Sequence, residues 1–128
     1  MAELNHTIVW CTDKQRSAHF LTEILDLPPA RPFFHFLVVD LENGVSLDYY
    51  QKEGTVSPQH YAFLVTDEEF DRGFGRIQDR GLTYWADPAR THPGQINRHF
   101  GGRGVYVADP DGHLLELITR PYGAEDAI

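Results

Sequence analysis

Four side chains in this sequence have the chemistry and the spacing to gather around one divalent cation. His6 opens the run His6-Thr7-Ile8-Val9-Trp10-Cys11, and Thr12-Asp13 begins six residues after it. His60 opens His60-Tyr61-Ala62-Phe63-Leu64-Val65, and Thr66-Asp67 follows at the same distance. Each half then leads from a turn dipeptide to a carboxylate inside an apolar strand. These stretches are Asn43-Gly44-Val45-Ser46-Leu47-Asp48 and Asp111-Gly112-His113-Leu114-Leu115-Glu116. Two imidazoles and one carboxylate on one side of an ion, with positions left open, form the facial arrangement of non-haem Fe(II) and related metals. The carboxylate offsets the charge, the imidazoles tune it and the open positions admit a substrate. His6, His60 and Glu116 are therefore candidate metal ligands. Asp48 is either a fourth ligand or a hydrogen-bonding support for one. Taken singly, each has a plainer reading: a strand His as a satisfied structural residue, Asp48 as a hairpin cap, Glu116 as an arginine partner. Repetition at matching positions favours the shared role.

The elements that must position these groups are legible in the same residues. Residues 4–11 read as a short strand rich in β-branched residues. Thr12-Asp13-Lys14-Gln15 has the form of a capping box, and Ala18, Leu21, Ile24 and Leu25 fall on one face of a helix that Pro28-Pro29 ends. Residues 33–41 read as one strand, and Asn43-Gly44 as the tight turn returning to a strand at 45–50. A polar linker at 51–59 precedes the second half. There the strand 60–65 leads to a second box, Thr66 to Glu69, and a helix with Phe70, Phe74 and Ile77 on its buried stripe. Gly81 suits its C-terminal cap. A short strand at 82–85, strands at 104–108 and 113–119, and a frayed tail from Pro121 complete the reading. Strand side chains alternate faces, so each ligand candidate shares a face with apolar neighbours on strands expected to be buried. The fold class is α+β, with two tandem βαβββ modules, about 4–57 and 58–120, in one domain. His6 to Asp48 covers 42 positions and His60 to Glu116 covers 56. The excess falls in 86–102, a stretch rich in Pro and Gly and long enough to suggest a functional loop.

Composition narrows the partners. The net charge of −8 argues against nucleic acid and anionic membrane surfaces, which reward basic patches. The lone Cys11 excludes an internal disulfide and fits a reducing compartment. No apolar run approaches the ~20 residues of a membrane span, and residues 1–5 show no secretory leader. A cytoplasmic protein acting on a small molecule is expected. Trp10, Phe34, Phe36 and Tyr50 suggest an apolar pocket for it.

The tandem His-strand-helix pattern, with Asp109-Pro110-Asp111-Gly112-His113-Leu114-Leu115-Glu116 near its end, resembles the vicinal oxygen chelate superfamily over about residues 4–120. That group includes glyoxalase I, extradiol dioxygenases, fosfomycin-resistance enzymes and bleomycin-binding proteins. The resemblance implies a curved mixed sheet or cup around a metal, with ligands at His6, His60 and Glu116 and, in glyoxalase-type members, at Asp48. A narrower stretch is similar to the extradiol dioxygenase signature: Asn97-Arg98-His99, then Val105-Tyr106, Asp109-Pro110, Gly112 and Glu116. It implies that His99 contacts the substrate or dioxygen region and that Tyr106 hydrogen-bonds a catecholic oxygen, making both candidate catalytic residues. Plainer readings place Tyr106 in the core and His99 on an exposed loop.

Three functions follow from the resemblance. The leading one is an Fe(II)- or Mn(II)-dependent dioxygenase for a small aromatic diol. The second is a glyoxalase-like isomerase or lyase using Zn(II), Ni(II) or Co(II), and the third a non-catalytic small-molecule binder. Ring-cleaving enzymes also use an acid–base His where this chain has Asp48 and Tyr50, with His35 on an earlier strand. A homodimer is implied, the modules pairing either within one chain or across two.

Overall fold

Each half of the chain builds the same unit by the same local devices. A computed structural model describes residues 1–123 of the 128. The chain forms two compact units that divide between Ser57 and Pro58. The first runs β1 (His6–Cys11), α1 (Lys14–Leu25), β2 (Arg31–Phe33), β3 (Phe36–Asp40) and β4 (Ser46–Gln51). The second runs β5 (His60–Leu64), α2 (Asp67–Asp79), β6 (Tyr84–Trp85), β7 (Gly104–Ala108) and β8 (Leu114–Ile118). Both are βαβββ, and the strand orders correspond: β1-β4-β3-β2 in the first sheet and β5-β8-β7-β6 in the second. In each, the first and last strands run parallel and the others pair antiparallel. The fold is α+β, as the order of elements in the sequence indicated.

The helices start where side chains satisfy their free amides. At α2 the box is complete: the Thr66 hydroxyl accepts from Glu69 N–H and the Glu69 carboxylate accepts from Thr66 N–H. At α1 the cap is Asp13, whose carboxylate accepts from Arg16 N–H, and not the Thr12–Gln15 box expected. Asp is as good a cap as Thr, and starting one residue later costs nothing. Gly44, at φ 82°, supplies the β3–β4 turn as its Asn-Gly sequence requires.

One side of each sheet is closed by its helix. Val9, Cys11, Val39, Leu47 and Tyr49 are buried in the first unit together with Ala18, Leu21 and Ile24 of α1. Phe63, Val105, Val107, Leu115 and Leu117 are buried in the second together with Phe70 and Ile77 of α2.

Two expectations are corrected. The strand expected over 33–41 is a hairpin, turning at Phe34, whose φ of 51° is left-handed. A left-handed Phe costs about 1–2 kcal/mol, and no Gly or Pro marks the turn in the sequence. The strands carrying the two histidines are also open on one face. His6, Ile8, Trp10, His60, Ala62 and Leu64 are all exposed, while the alternate residues Val9, Cys11 and Phe63 are buried on the opposite face.

Candidate metal centre and adjoining cavity

In the second unit the register brings the predicted groups together. On parallel strands β5 and β8, His60 is level with Leu114 and Ala62 with Glu116. His60 therefore sits two residues along and on the same face as Glu116, and its Nε2 lies 2.8 Å from Glu116 Oε1. On the other side of β8, Tyr106 is the direct partner of Glu116. Its ring stands 5.7 Å from that of His60. Glu116 is 1% exposed, so its carboxylate has little water and depends on these neighbours.

A third group completes its satisfaction. The Tyr122 hydroxyl donates to Glu116, 3.1 Å from both Oε1 and Oε2, and lies 3.5 Å from the Tyr106 hydroxyl. Burial, followed by its contacts with Tyr122 and Glu116, pushes the Tyr106 phenol far above its ordinary value. Tyr106 is a neutral hydrogen-bonding group at any physiological pH.

Glu116, Tyr106 and Tyr122 wall one cavity of about 290 Å³, with Pro88, Asn97, His99, Phe100 and Ile118 also in its lining, while His60 meets Glu116 from outside that lining. The 86–102 loop supplies Pro88, Asn97, His99 and Phe100 of that wall. It is anchored by paired backbone hydrogen bonds between Asn97 and Gly104, and Asn97 Nδ2 donates to the Ala86 carbonyl. A Cβ on Gly104 would lie 2.8 Å from Asn97 Oδ1, so the close approach needs glycine. Behind the wall, Arg103 bridges to Asp67 and Asp71 and covers the Phe70 ring, tying α2 to the start of β7. His99 opens a 3₁₀ turn at 99–101, exposed, at the edge of this cavity.

The first unit repeats the register with different contacts. Asp48 is level with Ile8 as Glu116 is with Ala62, and His6 lies two residues before, as His60 does. Asp48 is 9% exposed and accepts from the Ser46 hydroxyl. His6 is exposed, with Nδ1 2.7 Å from Asn5 Oδ1. Trp10 and Phe36 flank Tyr50 on this open face, each with its ring centroid 5.1 Å from that of Tyr50. Phe34, expected among them, packs on Phe33 at the hairpin tip instead.

His60 Nε2 and Glu116 Oε1 converge on one point, and one imidazole nitrogen with one buried carboxylate suits a borderline divalent cation. Within this unit, among the described residues, no third His, Cys, Asp or Glu joins them in a metal-binding group. Tyr122 and Phe100 escaped the reading of the sequence. The signal was present, because Glu116, Ile118, Arg120 and Tyr122 continue the strand's two-residue alternation past its end, and all four line the cavity.

Known proteins share this fold. The glutathione transferase FosA of Serratia marcescens is 32% identical over 123 residues, 91% of this chain and 80% of that protein. Two solved structures, named oxidase ChaP-H1 and oxidase ChaP-H2, superpose with TM-scores of 0.94 at 59% and 54% identity. They cover 96% of this chain and 99% and 97% of their own. The family model for the Glyoxalase/Bleomycin resistance protein/Dioxygenase superfamily matches residues 3–117, and this chain is a member of that superfamily.

Proposed function

We propose that the protein is a divalent-metal-dependent oxidoreductase that uses dioxygen on a small aromatic diol or phenol. In this reading His60 and Glu116 hold the cation, Fe(II) or Mn(II), and His6 completes the protein ligands. Asp48 is a fourth ligand or a hydrogen-bonding support. When bound, the cation supplies Lewis acidity toward substrate oxygens and a site for dioxygen. The chain's own residues bind and orient. Tyr106, held neutral, donates to a substrate oxygen, and His99 at the cavity edge serves proton transfer there. Phe100 and Ile118 give an aromatic ring an apolar wall. The observation that carries the reading is the buried Glu116 carboxylate, which meets His60 and, with Tyr106, lines one cavity. Two relatives above 50% identity with the name oxidase support the reaction class.

The sheet faces bearing His6 and His60 expose Ile8, Trp10 and Leu64 at 37%, 42% and 62%. Such faces favour a second copy of the chain, so the working form is a homodimer of single-domain protomers, acting in the cytoplasm. No helix among the described residues is long and apolar enough to cross a membrane.

Aerobic assay of the Fe(II)-loaded protein with catechols tests the reaction. Dioxygen consumption, lost in the Tyr106→Phe and His60→Ala variants, is expected. A second reading, thiol transfer to an electrophilic small molecule, draws on the resemblance to a glutathione transferase. Glutathione conjugation without dioxygen uptake would favour it.

A further inference from the structure

Past the end of β8 the chain keeps one face turned to the cavity, and that face changes character along its length. Glu116, Ile118, Arg120 and Tyr122 all line it, so a buried carboxylate is followed by an aliphatic side chain, a guanidinium and a phenol. Among the described residues, two arginines reach the lining. Arg103 is held for structure: its Nη1 lies 2.7 Å from Asp71 Oδ1 and its Nη2 3.0 Å from Asp67 Oδ1, so two carboxylates balance its charge. Arg120, half-buried, has its stem packed under the 99–102 turn. A Cβ on Gly102 would fall 2.6 Å from Arg120 Cγ and 3.1 Å from Arg120 Cβ, so the close approach needs glycine. The Gly102 N–H donates to the His99 carbonyl, and the turn carrying His99 and Phe100 is thereby seated on that stem. A stem fixed in this way leaves less side-chain entropy to be lost when the guanidinium takes a ligand.

We propose that Arg120 recognises a carboxylate on the substrate, which makes the ligand class a hydroxyarene carboxylic acid. The proposal rests on the aromatic substrate of the proposed function and narrows it. The ring lies against Ile118 and Phe100, the carboxylate meets Arg120, and the hydroxyl end points toward Tyr106 and Glu116. Reversed, the ligand would set its own carboxylate against that of Glu116, so the order of side chains along the face also fixes orientation. A guanidinium carries five N–H donors in a planar fork that matches the two oxygens of a carboxylate, so it can take the ligand and keep contacts with the protein. The net charge of −8 gives an anion no help from the field of the whole molecule, and the attraction has to be local. A monoanion suits the place better than a phosphate ester, whose second charge would add repulsion from Glu116 in the same cavity.

Calorimetric titration of the full-length protein with 3-hydroxybenzoate and 3-hydroxybenzamide isolates the charge, since the two probes share ring, hydroxyl and shape. Neither is a vicinal diol, so the result does not depend on the dioxygen chemistry. A charge-assisted hydrogen bond is worth about tenfold in affinity. Wild type should bind the acid about tenfold more tightly than the amide, and Arg120→Gln should bind the two alike. Arg120→Lys, which keeps the charge, should retain part of the preference, as a merely structural role would not require. Equal affinities in wild type, no binding of either probe, or a full preference in Arg120→Gln overturns the proposal. Phenyl phosphate binding more tightly than the acid overturns the choice of a carboxylate. In His60→Ala the preference should persist; its loss there would place the acid on a metal ion and overturn the assignment to Arg120. If the preference holds but neither catechol nor 3,4-dihydroxybenzoate draws dioxygen, the proposed reaction fails while the carboxylate site stands. Dioxygen uptake with catechol and no preference for the acid keeps the reaction and sinks the site.

Discussion

At the scale of the residue, the site works by placing a charged group where water cannot serve it and then rationing its partners. Glu116 has one imidazole, one tail phenol and a neighbouring phenol whose own proton is locked. The Tyr106 phenol is raised first by burial and then by Tyr122 and Glu116, so it remains a donor throughout the working range. Tyr61 is raised too, by burial and by the nearby Asp109 carboxylate. A folded pKa above the unfolded value of about 10 gives stability that is complete below pH ~10 and is lost as pH rises beyond it. Absorbance titration at 295 nm should show the alkaline step of Tyr106 coinciding with unfolding. Tyr106→Phe should leave the amplitude below that transition unchanged. Its loss from the early amplitude would show a phenol that ionises freely in the folded protein.

At the scale of the element, what the sequence revealed and what it hid follow from how local each signal is. Capping, turn and alternation depend on neighbours in the chain, so both helices, the Gly44 hairpin and the Thr66–Glu69 box were readable. The 33–41 hairpin was not, because a Phe at φ 51° is stabilised by tertiary surroundings and leaves no turn residue to read. Tyr122 was hidden by Pro121, which marks the start of a tail expected to fray; Tyr122 instead extends the cavity wall, and the residues after Gly123 lie outside those described. The Asp109–Gly112 turn shows a further cost that sequence cannot display. Asp109 Oδ1 accepts from the N–H groups of Asp111 and His113, while Oδ2 is buried without a hydrogen-bond partner. Burial raises this carboxyl, against the opposing pull of His113 and the two amides. With a folded pKa above the unfolded one of about 3.9, its contribution is complete below that value and falls as pH rises through the folded pKa. Asp109→Asn keeps the Oδ1 acceptor and removes the charge, so its stability relative to wild type should grow between pH 4 and 7 in urea denaturation. Asp109→Ala strips both amides of their acceptor and should cost about 1–3 kcal/mol at either pH. An Asn variant that weakens steadily toward pH 7 would refute the assignment.

At the scale of the whole molecule, the duplicated register gives each unit a His and a carboxylate at matching positions, with different partners. The second unit already joins His60 to Glu116, while in the first His6 turns to Asn5 and Asp48 to Ser46. Under the proposed function these halves combine, and two copies of the chain are the expected source. Mixing His6→Ala and His60→Ala chains under reassembling conditions tests this. In a hybrid dimer whose ligands come from different chains, one of the two sites is fully wild type and binds metal. If both histidines of a site come from one chain, no mixture recovers any site.

All of this depends on a divalent cation resting on His60 and Glu116. The most direct measurement is metal analysis of the protein as purified, wild type beside His60→Ala and Glu116→Gln. About one iron or manganese ion per wild-type chain is expected, and almost none in either variant while both remain folded. Metal-free wild-type protein that takes up no added Fe(II) or Mn(II), or variants that keep a full complement, would contradict it.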